Sequence, residues 1–388
     1  MEKGVWMRKF VSIVAAASLV AFIAGCGKKE EKQKEIKVGI LQPLTGPIAN
    51  FGQKTLDGIK VVYDKYNTLP DGTKIKLVEV DNQFDKVQNV NGYQRLVSKE
   101  SVIAVEGPLA SSMAKAVKRF AEKSKTPTVV QIATNPDVTK NTKYMTRACF
   151  TDDFQGKVGA VYAIKNGYKK AVILFDAAQD YSTGLKKEFE KEYKKDGGKI
   201  LAVLHINTGD KDFNAQIAQI KKLNPDIIYA PIYAPEGGLF VKQLRENGVK
   251  APVLGGDGLA DVSQMTKLAG KAANGVMFTD HFDAKKPPTN LSKEFIKEFE
   301  NKYHRAPSAF AATGADGYIL IYNALKTCDK KHDLTKECVN YEIRHAKNVE
   351  AVTGNLTIDP KTGNPINKPA VIKKIEGEKA VFVELVQP

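Results

Sequence analysis

Candidate ligand-binding side chains lie in loops that follow short apolar runs. The loop 107–111 (GPLAS) contains Leu109 and Ala110 and ends at Ser111, where apolar residues begin to recur at helical spacing. A helix N-terminus presents unpaired N–H groups and a partial positive charge, so this loop would receive a carboxylate. A serine that only caps the helix explains the same residues equally well.

A single acidic residue among glycines offers the opposite charge. Asp257 lies in GGDG (255–258), directly after the apolar pair Val253-Leu254. Its carboxylate would neutralise a cationic group such as an ammonium. The run GDGLAD also approaches a dinucleotide-binding fingerprint, but it lacks the third glycine and is weak evidence for that kind of site.

The loop 131–136 (QIATNP) carries neutral polar groups. The carbonyl of Ile132 and the hydroxyl of Thr134, on either side of Ala133, would accept hydrogen bonds from a cationic ligand group. A turn formed by Asn-Pro accounts for the same residues without a ligand, and the residues alone favour that turn.

Three aromatic residues are predicted in loops after strands and outside any helical stripe: Phe51, Tyr181 and Tyr233. Aromatic side chains at such places form the walls of ligand sites, or they only cover a core. The residues do not separate these two interpretations.

Enzyme motifs are absent from the sequence. It contains no G-x-x-x-x-G-K-[ST], H-E-x-x-H or G-x-S-x-G segment, and its 5 histidines show no metal-ligand spacing. The candidate ligand residues include one carboxylate and no histidine. We therefore expect a binding protein rather than an enzyme, with no metal and no cofactor.

Short apolar runs alternate with amphipathic stretches over most of the chain. Predicted strands lie at 36–41, 74–80, 102–105, 128–132, 171–175, 200–205, 227–230 and 253–254, and predicted helices include 87–97, 154–166, 182–195, 213–223 and 237–247. This alternation predicts α/β architecture with doubly wound parallel sheets. After Gly354 three further strands are predicted, at 355–358, 370–375 and 380–386. Ligands of open α/β sheets bind beyond the carboxyl ends of strands, where the candidate loops lie.

The N-terminal residues 1–25 predict a lipoprotein signal peptide. Arg8 and Lys9 precede an apolar run that ends at Ala24, and Cys26 follows Gly25. The run is shorter than the roughly 20 residues of a transmembrane helix. Cysteine directly after small residues resembles a bacterial lipobox, so Cys26 is the expected lipid attachment site and the mixed-charge residues 26–37 the expected tether.

Charge and cysteine content narrow the class further. The 388 residues carry a net charge of +15, but lysines are interspersed with glutamates, as in 186–195. Nucleic-acid binding would favour clustered arginines with aromatics, so no nucleic-acid partner is expected. Cys328 and Cys338 flank a polar segment, and outside the cytoplasm they would form a disulfide. Cys149 is expected as a buried, unpaired small residue.

Taken in order, these segments resemble the type I periplasmic binding proteins of branched-chain amino-acid ABC transporters. LQPLTGPIANFGQ (41–53) resembles the opening strand, loop and helix of the family. GPLASS, QIATNPD, CFTDDFQG, IYAPEGG and GGDGLADVS follow in the family's order and spacing, over essentially the whole mature chain.

The resemblance implies two α/β lobes joined by three hinge crossings, with a ligand amino acid held between them. The implied lobes are residues 38–149 with 281–353, and residues 150–280 with 354–388. Ser111 would bind the α-carboxylate, while Thr134 and the Ile132 carbonyl would help to hold the head group. Asp257 stands where the family often has glutamate, as the ammonium's counter-charge.

The same resemblance assigns the apolar part of the site. Tyr181 and Tyr233 would close over the ligand from the second lobe, and Phe51 would line the side-chain pocket where the family often has tyrosine. The helix from Phe310 continues with small residues, 312–316, where the family often offers an aromatic. The resemblance thus supports binding of the ligand's α-amino acid head group, but it does not identify the preferred ligand side chain.

These implications lead to an expected function. The chain would be a lipid-anchored, monomeric substrate-binding component of an ABC importer, at the periplasm or cell surface. It would bind a branched-chain or similar apolar amino acid and deliver it to a permease and ATPase. The alternatives are a sensory protein of the same fold and a receptor for an amide, urea, aromatic acid or other small ligand.

Overall fold

The computed structural model describes residues 34–388, of which Glu35–Pro388 form one compact unit. The predicted signal peptide 1–25, the lipidation site Cys26 and the tether as far as residue 33 lie outside the described residues. The predicted C-terminal end of the tether, residue 37, was wrong, because residues 35–37 pair with a neighbouring strand. Every helix within residues 34–388 is too short or too polar to cross a bilayer.

A five-stranded parallel sheet is built from the first part of the chain. Its strands are β1 (Glu35–Gln42), β2 (Lys74–Asp81), β3 (Ala104–Glu106), β4 (Thr128–Val130) and β5 (Met145–Arg147), in the order β2-β1-β3-β4-β5. The helices between them are α1 (Ala49–Lys65), α2 (Lys86–Gln94) and α3 (Ser111–Ser124). The central strands are apolar on both faces, as a parallel sheet covered by helices requires. We call this the first sheet.

The second sheet has seven strands. They are β6 (Lys170–Asp176), β7 (Lys199–Ile206), β8 (Ile227–Tyr229), β9 (Val253–Gly255), β10 (Met277–Asp280), β11 (Ala370–Glu376) and β12 (Lys379–Val386). Their order is β12-β11-β10-β9-β8-β6-β7, and only the pairings of β11 are antiparallel. The accompanying helices are α4 (Asp152–Lys165), α5 (Asp180–Lys195), α6 (Asn214–Leu223), α7 (Ala234–Glu246) and α8 (Val262–Ala269).

Three later helices return to the first sheet: α9 (Asn290–Tyr303), α10 (Ala309–Lys330) and α11 (Lys336–Arg344). Helix α10 lies against α1 so closely that a Cβ at Gly58 would be 1.9 Å from the carbonyl oxygen of Ala311. A disulfide joins Cys328 of α10 to Cys338 of α11, and Cys149 is free and buried. The described chain therefore passes between the two sheets three times. The exact lobe boundaries given above stay a prediction.

The predicted α/β class, with two mostly parallel sheets, is confirmed. The predicted strand at 355–358 is wrong: this segment makes only isolated bridges, Val349 to Leu356 and Ile358 to Pro365. Single-residue pairings of this kind do not extend a sheet, although the local pattern is apolar and alternating. Strands β5 and β10 were not predicted, because threonine and a charged residue interrupt the apolar run in each of them.

Glu106, the last residue of β3, should make the free energy of unfolding depend on pH. Its side chain is fully buried, close to Gly317 of α10, and neither carboxyl oxygen has a hydrogen-bond partner among the described residues. Burial, and then the charge of Asp316, raise the pKa of Glu106 well above its ordinary value. The folded protein therefore keeps this proton at pH values where the unfolded chain has lost it.

The free energy of unfolding should accordingly fall as pH rises from the unfolded pKa of Glu106 towards its folded pKa. Replacing Glu106 with glutamine keeps the shape and removes the proton. We expect the variant to lose up to about 1.4 kcal/mol per pH unit of this dependence. Urea unfolding at pH 5, 6, 7 and 8 measures it, with exposed Glu298→Gln as the control. Parallel pH profiles of wild type and Glu106→Gln would contradict it.

Candidate ligand-binding site

A small cavity lies where loops and helix starts of the two sheets meet. It is lined by Phe51, Leu109, Ser111, Ile132, Tyr181, Tyr233, Asp257, Gly258 and Phe310. Seven of these nine residues were predicted from the sequence. The cavity measures about 10 Å³, room for about one water molecule. An amino acid is larger, so its entry requires the walls to move apart.

The first-sheet side of the cavity contains the start of α3. Ala110 is the N-cap residue and its side chain makes no capping hydrogen bond. The hydroxyl oxygen of Ser111 instead accepts a hydrogen bond from the backbone N–H of Asn135, at 3.2 Å. The alternative of Ser111 as an ordinary side-chain cap is therefore wrong, and the first N–H groups of α3 keep their capacity for an anion.

The loop after β4 brings only Ile132 to the cavity. Thr134 is fully buried behind it, and its carbonyl oxygen accepts the N–H of Asp152 at 2.9 Å. The Ala133 carbonyl accepts a hydrogen bond from Arg147. Ala110, Ala133 and Thr134 thus lie next to the cavity without lining it, and their contact with a ligand stays a prediction.

The Asn-Pro turn that the sequence offered as an alternative is also present. The Asn135 side chain accepts the N–H of Asp137 at 3.0 Å and begins a short 3₁₀ turn, Pro136–Val138. The loop therefore combines a turn with one cavity-lining residue, so the two interpretations of this segment are compatible.

Asp257 stands on the second-sheet side, in a 3₁₀ turn (Asp257–Leu259) that follows β9. Its Oδ1 accepts a hydrogen bond from Gln155 Nε2 at 2.8 Å, and its Oδ2 lies 3.1 Å from Nε2 of His281. The sequence prediction missed both partners. The strand-end rule would have indicated His281, which directly follows β10, had that strand been recognised.

The expectation that the three aromatic residues lie in loops was wrong for Phe51 and Tyr181 and right for Tyr233, which precedes its helix. Phe51 and Tyr181 lie in the first turns of α1 and α5, and Tyr233 is the N-cap residue of α7. The rings of Tyr181 and Tyr233 stack, with centroids 5.1 Å apart. The Tyr181 hydroxyl oxygen accepts the N–H of Gly258 at 2.8 Å, so this ring is fixed at both its face and its tip.

An aromatic residue that was expected to be missing is present. Phe310, in the first turn of α10, lines the cavity and stacks on Phe51 with ring centroids 4.4 Å apart. Phe51 also meets the ring of Tyr233 edge-on at 5.9 Å. Together with Leu109 and Ile132 these rings form an apolar wall, while the small residues that follow Phe310 face the core.

Asp257 is the acidic residue that lines the cavity. Burial, and then the nearby Asp257 charge, raise the pKa of Tyr181 well above its ordinary value, so it is a neutral phenol. Burial also raises the pKa of Asp152, which does not line the cavity, well above its ordinary value. Burial raises the pKa of the Cys149 thiol to about 12.

Polar contacts join elements of the two sheets around the cavity. Lys54 of α1 pairs with Asp261, the N-cap residue of α8, at 2.6 Å. Lys115 of α3 pairs with Asp180 of α5 at 2.7 Å, and the Asp180 N–H donates to Ser112 Oγ at 2.9 Å. We call these the bridging contacts.

The described residues contain no candidate metal site in addition to the cavity. Within residues 34–388 no three His, Cys, Asp or Glu side chains are arranged to hold a metal ion. What the geometry does bring together is a helix N-terminus, a carboxylate and an apolar wall. That set can bind a molecule with separated negative, positive and apolar groups.

Several known proteins are similar to this chain in sequence and in architecture. It is 29% identical over 353 residues to the Leu/Ile/Val-binding protein BraC3 of Rhizobium johnstonii, covering 90% of this chain and 94% of that one. A crystal structure of a leucine-binding protein from Thermotoga maritima is 33% identical, with a TM-score of 0.87 over 91% of this chain and 99% of that one.

A more distant structure carries a different ligand. The solute-binding protein of an ABC transporter from Rhodopseudomonas palustris, in complex with 3,4-dihydroxybenzoic acid, is 25% identical. Its TM-score is 0.81, covering 91% of this chain and 97% of that one. The periplasmic binding protein family matches residues 35–379, almost all of the described chain. The chain therefore belongs to the periplasmic binding protein family.

Proposed function

We propose that this protein binds a branched-chain or similar apolar α-amino acid and delivers it to the permease of an ABC importer. The observation that carries the proposal is one cavity that combines Asp257, the start of α3 and an apolar wall. A zwitterion with an apolar side chain carries these three kinds of group. The similarity to Leu/Ile/Val-binding and leucine-binding proteins supports the same ligand class.

Each pole of the ligand has its own partner in this proposal. Ser111 and the first N–H groups of α3 bind the α-carboxylate, and Asp257 binds the ammonium through a charge-assisted hydrogen bond. The Ile132 carbonyl and Thr134 help to hold the head group. Burying both poles without partners would be costly, so the site discriminates strongly against ligands that lack either one.

The apolar wall sets the preference for the ligand side chain. Phe51, Leu109, Phe310 and Tyr233 offer no charged group to it, so an aliphatic side chain is accommodated without an unpaired polar atom. A charged or amide side chain would be buried here at a cost. Tyr181 and Tyr233 close the site from the second-sheet side.

The cellular setting follows from the family and from the sequence. Family membership supports an extracytoplasmic location. We further propose that the protein acts as a monomer, that Cys26 carries the lipid and that its partners are a permease and an ATPase. Incorporation of radiolabelled palmitate into wild-type protein, and its loss in Cys26→Ala, tests the anchor.

Isothermal titration of residues 27–388 tests the ligand class, since this segment contains the whole compact unit. The protein is unfolded and refolded to remove carried ligand, then titrated with leucine, isoleucine, valine, phenylalanine, alanine and urea. We expect micromolar affinity for at least one aliphatic amino acid, about −8 kcal/mol. No heat with any amino acid would overturn the head-group assignment.

An aromatic acid is the second candidate ligand. The wall of Phe51, Phe310 and Tyr233 favours it, as does the likeness to the 3,4-dihydroxybenzoate-bound protein. Such a ligand has no ammonium and gives Asp257 no counter-charge. Titration with 3,4-dihydroxybenzoate separates the two candidates, and its binding in place of every amino acid would favour the second.

A further inference from the structure

His281 lies behind the acidic group of the site and outside the cavity lining. It follows β10 directly and its side chain is fully buried, 0% exposed. The ring stacks on Phe150, with centroids 3.8 Å apart. Its Nε2 is 3.1 Å from Asp257 Oδ2, while Gln155 Nε2 donates to the other carboxylate oxygen at 2.8 Å.

The second ring nitrogen defines the form of this histidine. Nδ1 of His281 is buried and has no hydrogen-bond partner among the described residues. An imidazolium would place an unpaired N–H at Nδ1, which is costly in a buried position. The neutral ring with its hydrogen on Nε2 instead donates to Asp257 and leaves only a lone pair at Nδ1.

The backbone that carries His281 is firmly held. Lys373 of β11 lies 3.0 Å from Asp280 Oδ2 and also donates to the Phe282 carbonyl oxygen. Asp283 stands 3.8 Å from the same amine. The Lys373 charge is thereby opposed by two carboxylates on the segment that contains His281, and the ring is presented to Asp257 from a fixed segment.

The other ionisable side chains near His281 and Asp257 do not take over the hydrogen bond that His281 makes to the Asp257 carboxylate. Burial raises the pKa of Asp152 well above its ordinary value, which favours its uncharged form. Arg147 is buried, but its guanidinium donates to the carbonyl oxygens of Ala133 and Asn135 and to the Asn364 side chain. The hydrogen-bond partners of the two Asp257 oxygens are therefore Gln155 and His281.

We propose that His281 is a positioning residue of the ammonium site, neutral and protonated on Nε2, which orients the Asp257 carboxylate towards the cationic group of the ligand. This inference rests on the proposed function, because it assigns His281 a role in recognising the ammonium. It predicts that His281 affects ligands with a cationic group and not those without one.

Two variants separate a hydrogen-bond role from a packing role. His281→Leu removes the donor and keeps an apolar side chain, whereas His281→Gln keeps an N–H donor at the end of the side chain. For leucine we expect about a tenfold to hundredfold loss of affinity in His281→Leu, since a hydrogen bond to a charged group is lost. His281→Gln should recover most of that loss.

A ligand without the ammonium provides the matched control. The probe is 4-methylpentanoate, which has the carbon skeleton and carboxylate of leucine. Its affinity should be weaker than that of leucine, because it lacks the ammonium, but the same within about twofold for wild type and His281→Leu. Equal losses for leucine and 4-methylpentanoate would show a packing role and overturn the inference, as would a His281→Gln variant as weak as His281→Leu.

The ring itself gives a measurement that needs no ligand. Nitrogen–proton correlation NMR of histidine-labelled wild-type protein at pH 7 should show one buried ring as the neutral Nε2–H tautomer, and these signals should vanish in His281→Gln. An imidazolium or an Nδ1–H tautomer would overturn the inference. Failure of leucine to bind wild type would instead refute the proposed ligand, so the two failures are distinguishable.

Discussion

Replacing Asp257 with asparagine is expected to weaken leucine binding by about a hundredfold, close to 3 kcal/mol. The variant keeps the size of the side chain and removes the negative charge that faces the ligand's ammonium. It also turns one oxygen into an N–H donor, which would point at a cationic group. Isothermal titration against leucine at pH 7 measures the effect.

Asp153→Asn is a suitable control for this measurement. Asp153 belongs to the same region, in the first turn of α4, but it does not line the cavity. Its replacement should leave the leucine affinity within about twofold of wild type. A leucine affinity unchanged in Asp257→Asn would sink the assignment of Asp257 to the ammonium, whatever the fold of the protein.

Arg147→Met is expected to cost about 3 to 5 kcal/mol of unfolding free energy, because it removes a buried cation that donates to three acceptors and leaves the Ala133 carbonyl oxygen without a partner among the described residues. Arg147, the last residue of β5, is 0% exposed. Its Nη2 donates to the Asn135 carbonyl oxygen at 2.8 Å and its Nε to Asn364 Oδ1 at 2.9 Å. A third bond, to the Ala133 carbonyl, holds the loop that carries Ile132.

The same substitution should loosen the ligand site. With the Ala133 carbonyl unpaired and the hydrogen bonds from Arg147 to Asn135 and Asn364 lost, Ile132 and the Asn135 N–H that meets Ser111 are held less firmly. We therefore expect leucine affinity to fall together with stability, both measured on the same preparation by titration and by urea unfolding. Exposed Arg119→Met should change stability by less than about 0.5 kcal/mol. An Arg147→Met protein as stable as wild type would refute this account.

Much of the candidate site could be predicted because its residues follow strands. Parallel strands place their carboxyl ends at one edge of a sheet, so loops distant in sequence converge there. Ser111, Ile132 and Asp257 were found by that rule without knowledge of the strand order. Their shared cavity, however, depends on how the two sheets meet, which no local pattern records.

The residues that sequence reasoning missed reach the site by longer routes. Phe310 comes from a helix that packs on α1 after the chain has returned from the second sheet. His281 follows β10, which ends in Thr279 and Asp280 and therefore gives no continuous apolar run. Phe51 and Tyr181 were identified but placed in loops, because a single helical turn shows no periodicity of its own.

The bridging contacts have a consequence for the lifetime of a bound ligand. Because these ion pairs join elements of the two sheets, we expect them to break when the walls of the cavity move apart to release a ligand. The Lys115–Asp180 pair is partly exposed, with side chains 31% and 37% accessible, so dissolved ions weaken it. Added salt should therefore raise the dissociation rate of the ligand and shorten its residence time. We expect a binding protein of this construction to release its ligand faster at high ionic strength.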